Sequence, residues 1–147
     1  AAQGGDQRID IVTVDLDVRT LPGFSAGEVL AELWEALGAV PKHELIEFTP
    51  GVESPIDTPL FDRLCAVVRA HDPGAEPVPF LIPGFTDASY FRRLGMSCYG
   101  FAPLMLGRDD AAEYKHRMHG VDERVGRESF LRGYAMLEDA VLGFLRN

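Results

Sequence analysis

Apolar and polar residues alternate strictly over residues 9–19, IDIVTVDLDVR. Val12, Val14, Leu16 and Val18 fall on one side, and Thr13, Asp15, Asp17 and Arg19 on the other. That period of two predicts a half-buried strand with one wet face. Leu21-Pro22-Gly23 breaks it. Ser25 then opens a helix: Glu28, three positions on, completes a capping box, and Phe24 and Val29 are spaced for a hydrophobic staple. Val29, Leu30, Leu33, Trp34 and Leu37 recur on one helical face, and Gly38 ends it. Residues 43–49, HELIEFT, predict a second strand. A strand–helix–strand unit over 9–49 with one exposed sheet face is half of a ferredoxin-like α+β sandwich.

The Pro/Gly-rich run 50–56, PGVESPI, marks a domain boundary and divides the chain into residues 1–52 and 53–147. Asp57 or Thr58 caps the next helix, with Pro59 in its first turn and Leu60, Phe61, Leu64, Cys65, Val67 and Val68 as its apolar face. Residues 78–82, VPFLI, form a short, continuously apolar segment. A helix follows at 87–94, closed by Gly95, and then a second apolar segment at 97–102. Strand, helix, strand with apolar strands predicts a parallel sheet covered on both faces, so this half reads as α/β. Residues 103–118 are polar and irregular and predict a loop containing His116. The last helix runs from about Arg127 to Leu145, where Phe130, Tyr134, Leu137, Val141 and Phe144 recur at spacings of four and three.

Composition narrows the function classes. The chain has 147 residues, with 46% hydrophobic and 25% charged positions, as in soluble globular proteins. No apolar run approaches the roughly 18 residues of a membrane span. The first residues, Ala1 to Gln7, lack the basic and apolar regions of a secretory leader. A net charge of −9 argues against a nucleic-acid partner, which needs clustered Lys and Arg. Cys65 and Cys98 sit in apolar segments and read as buried, reduced thiols, which favours the cytoplasm.

Three places could carry chemistry. His119 opens the run His119-Gly120-Val121-Asp122-Glu123-Arg124-Val125 before the last helix. With acidic neighbours it suits a metal ligand, a general base or a solvated surface group. Pro83-Gly84-Phe85-Thr86-Asp87-Ala88 joins an apolar strand end to a helix N-terminus, where ligands bind in open α/β sheets. Its N–H groups suit a carboxylate or a developing oxyanion, and Thr86 offers a hydroxyl; alternatively Thr86 or Asp87 caps the helix. Arg19, on the wet face of the first segment, suits a substrate carboxylate or an ion pair with Asp17.

These runs, together with Val14-Asp15-Leu16-Asp17-Val18-Arg19, Leu21-Pro22-Gly23 and Tyr99-Gly100-Phe101-Ala102-Pro103, resemble in order the aminoacylase/carboxypeptidase family of dinuclear zinc hydrolases. That family includes acetylornithine deacetylase, succinyl-diaminopimelate desuccinylase, glutamate carboxypeptidase and carboxypeptidase S. The resemblance implies the C-terminal half of a lid or dimerisation domain at 1–52 and the C-terminal part of a zinc-peptidase-like α/β catalytic domain at 53–147. It implies His119 as a zinc ligand, Thr86 and Gly84 in substrate binding, Arg19 on the substrate's carboxylate, and Asp122 or Glu123 orienting the imidazole. The complete site would hold two zinc ions that activate a water to cleave an N-acyl amino acid or dipeptide.

Two departures qualify it. Phe85 stands where the family loop usually has a second glycine. The family's His-x-Asp motif, Glu-Glu pair and further acidic ligand have no counterpart in these residues. A hydrolytic zinc needs about three protein ligands, and one convincing ligand is present. The resemblance therefore implies a fragment, inactive alone, with no catalytic residue of its own, whose partners are the missing N-terminal half and a second copy bound through the lid. The alternative is a non-catalytic dimerisation or binding module.

Overall fold

A computed structural model describes residues 11–104 and 118–146. Among them are four α-helices: α1 (Ala26–Leu37), α2 (Pro59–His71), α3 (Ala88–Arg93) and α4 (Arg127–Leu145). None is long and apolar enough to cross a membrane. The chain divides between Pro50 and Gly51 into two units.

In the first unit the capping box at α1 forms. Ser25 Oγ accepts from the Glu28 N–H at 3.3 Å. The Glu28 carboxylate accepts from the Ser25 hydroxyl at 2.7 Å and from its N–H at 2.8 Å. These bonds, the hydroxyl bond foremost, hold the Glu28 carboxyl below its ordinary value. Gly38 closes the helix at φ 66°, a left-handed conformation that glycine adopts without steric cost. Val29, Leu30, Leu33 and Trp34 are half-buried and Leu37 is exposed. Trp34 meets the His43 ring at 4.6 Å, and His43 Nδ1 lies 2.9 Å from the Pro41 carbonyl oxygen.

In the second unit α2 begins at Thr58, whose Oγ1 accepts from the Phe61 N–H at 3.1 Å, with Pro59 in the first turn. Arg69 and His71 occupy its last turn, where cations offset the helix dipole. Val67 packs with Met136 and Ala140 as the buried core of α2 and α4, flanked by Leu64, Val68 and Phe101. Two glycines of α4 let neighbours approach. A Cβ at Gly133 would lie 2.7 Å from the Pro103 carbonyl oxygen, and one at Gly143 would collide with the Arg63 guanidinium. Arg63 Nη2 donates to the Asp139 carbonyl, and His71 Nε2 lies 2.6 Å from Asp139 Oδ2.

The expected α/β architecture is not formed. No described residue belongs to a strand, so neither the ferredoxin-like half nor the parallel sheet is formed among them. Residues 11–19, 43–49, 78–82 and 97–102 are neither helix nor strand. Alternation fixes which side of an extended segment is apolar, but a strand also needs a neighbouring backbone to fill its ladder. The apolar side of the first segment is uncovered, with Val12 76% and Val14 69% exposed. At Cys98, side chains take the bonds a ladder would make. Its N–H donates to Ser54 Oγ at 2.9 Å. Its carbonyl accepts from Ser54 Oγ at 3.0 Å and from Arg92 Nη2 at 2.6 Å. Most of the expected 103–118 loop, with His116, lies outside the described residues. Cys65 and Cys98 are free thiols, half-buried rather than buried.

Three outcomes follow. Gly133→Ala should destabilise the chain by about 1–3 kcal/mol, because backbone at Pro103 has to give way. Gly27→Ala, where a Cβ meets nothing within 4 Å, should stabilise by about 0.5–1 kcal/mol. Urea midpoints at unchanged slope would check both signs. Because the Glu28 pKa is lowered by folding, its contribution is present above the unfolded-state pKa and lost as pH falls through the folded-state value. Helicity should therefore fall more on acidification in the parent than in Glu28→Gln, as read by far-UV circular dichroism.

Candidate functional site

His119 and Asp122 both lie in the left-handed region, at φ 60° and 62°. Residues with a Cβ adopt it uncommonly, Asn, Asp and His most often among them, because Cβ crowds the following carbonyl. Two such residues within four positions turn the chain sharply just before α4 and leave His119, Asp122 and Glu123 exposed. Among the described residues His119 makes no hydrogen bond or ion pair, and neither Asp122 nor Glu123 bonds to its ring. The other described histidines are engaged, His43 by Pro41 and Trp34, His71 by Asp139.

The 83–87 turn is committed to local contacts. The Gly84 N–H donates to the Ile82 carbonyl at 2.8 Å, so that amide is already used. The Thr86 carbonyl accepts from the Ser89 N–H at 3.1 Å. Asp87 starts α3 without a side-chain capping bond. Phe85 meets Tyr90 edge-on at 5.7 Å, which turns the bulky residue of this loop toward α3. At six residues α3 carries too small a dipole to make its N-terminus an anion site. No hydrogen bond or ring contact among the described residues joins this turn to the His119 turn.

Arg19 belongs to the first unit. Its Nη2 lies 2.7 Å from Asp17 Oδ2, with both side chains more than half exposed. Exposed pairs contribute about 0–1 kcal/mol, so Asp17 holds the guanidinium only weakly.

Sequence reading missed a polar cluster at 54–58 and 92–99. Arg92 Nε donates to Ser54 Oγ at 3.0 Å, alongside the Cys98 bonds. Tyr99 OH donates to the Pro55 carbonyl at 2.5 Å, which leaves the Thr58 hydroxyl to donate to Tyr99 across 2.6 Å. No periodic signal marks Ser54, an isolated serine in a Pro/Gly-rich break. Its oxygen is fully engaged, so it fastens the segment rather than offering a nucleophile. A depression of about 590 Å³ beside His71, Arg127, Glu128 and Arg132 contains none of the sequence-derived candidates.

Among the described residues no three His, Cys, Asp or Glu side chains converge to hold a metal ion. A zinc centre therefore does not fit these residues by themselves. The chain matches no protein-family model, no curated protein and no solved structure.

A strained exposed histidine gives a distinctive stability signature. His119→Gly should raise stability by about 0.5–1 kcal/mol by relieving the left-handed backbone, and His119→Val should lower it. Chemical denaturation checks the order; a loss on His119→Gly would show that the imidazole packs against the fold.

Proposed function

We propose that the chain is part of a zinc-dependent amidohydrolase that cleaves an N-acyl amino acid or small peptide, and that it contributes one metal ligand, His119. The observation that carries this reading is His119 itself, an exposed imidazole without a partner among the described residues, held on a strained turn before a long helix. Strain of this kind gathers where a side chain must be presented rather than packed. The four motifs, met in family order along the sequence, support the same reading.

The remaining ligands come from another stretch of polypeptide, and the 147 residues alone are inactive. His119 would hold a metal ion through one ring nitrogen, and Asp122 or Glu123 would orient the ring through the other. The Thr86 hydroxyl contacts the substrate. The enzyme pairs with a second copy through residues 1–52. Two free thiols suit a reducing compartment such as the cytoplasm.

The test compares the 147-residue chain with a polypeptide that completes the site. The chain alone should take up no stoichiometric zinc in equilibrium dialysis and hydrolyse no N-acetyl amino acid. In the complete polypeptide, His119→Ala should cost more activity than the roughly 10–100-fold typical of groups that only orient a ligand, while circular dichroism stays unchanged. Near-normal turnover in that variant would overturn the zinc role. A dimer indifferent to chelators and to His119→Ala would establish the non-catalytic module instead.

A further inference from the structure

We draw no further inference here: the strongest candidate, the apolar groove of about 230 Å³ between α2 and α4 bordered by Tyr99 and Phe101, is an uncovered face, and nothing in the structure shows what covers it.

Discussion

Val67 of α2 meets Met136 and Ala140 of α4, and Arg63 crosses Gly143 to reach the Asp139 carbonyl. The second unit is arranged around this crossing. Arg63 contributes through shape more than through energy. Its Nη2 bond, made by a charged donor, is worth about 1.5–3 kcal/mol, while its buried, unpartnered Nε costs about 1–3 kcal/mol. The two nearly cancel, and what remains is a guanidinium that fits only against a glycine. Asp139 also faces His71 at the end of α2, so one residue of α4 receives both basic side chains.

The helices were legible in the sequence because their signals are local. Ser25 with Glu28, Thr58 with Pro59, and the glycines at 38 and 95 each settle a helix end within a few residues. The 3.6-residue period of α4 gives its span from Arg127 to Leu145 directly. Strands were not legible in the same way. Residues 11–19 carry a clean alternation, yet nothing in those residues specifies which backbone would lie alongside. At 97–102 the decisive partners, Ser54 and Arg92, are polar side chains outside the apolar pattern that marks the segment.

The candidate site shows the same division. His119 was singled out by its neighbours, and its left-handed backbone was no part of that signal. Gly84 and Thr86 were placed by analogy with a strand end. Without a sheet, the turn closes on itself through Ile82 and Ser89. Arg19 kept the simplest partner available, Asp17 two residues away. Groups that must cooperate across a site need a scaffold to bring them together, and no sheet among the described residues supplies it.

Gly133 has a bearing on mechanics. The Pro103 carbonyl occupies the space where any larger residue would put its Cβ. Sliding α4 by one turn, about 5.4 Å, would bring Ser129 or Leu137 to that oxygen, and neither leaves the gap. The helix is thereby keyed to the segment before it, as a notch keys a shaft. What prevents slippage is an atom the sequence leaves out.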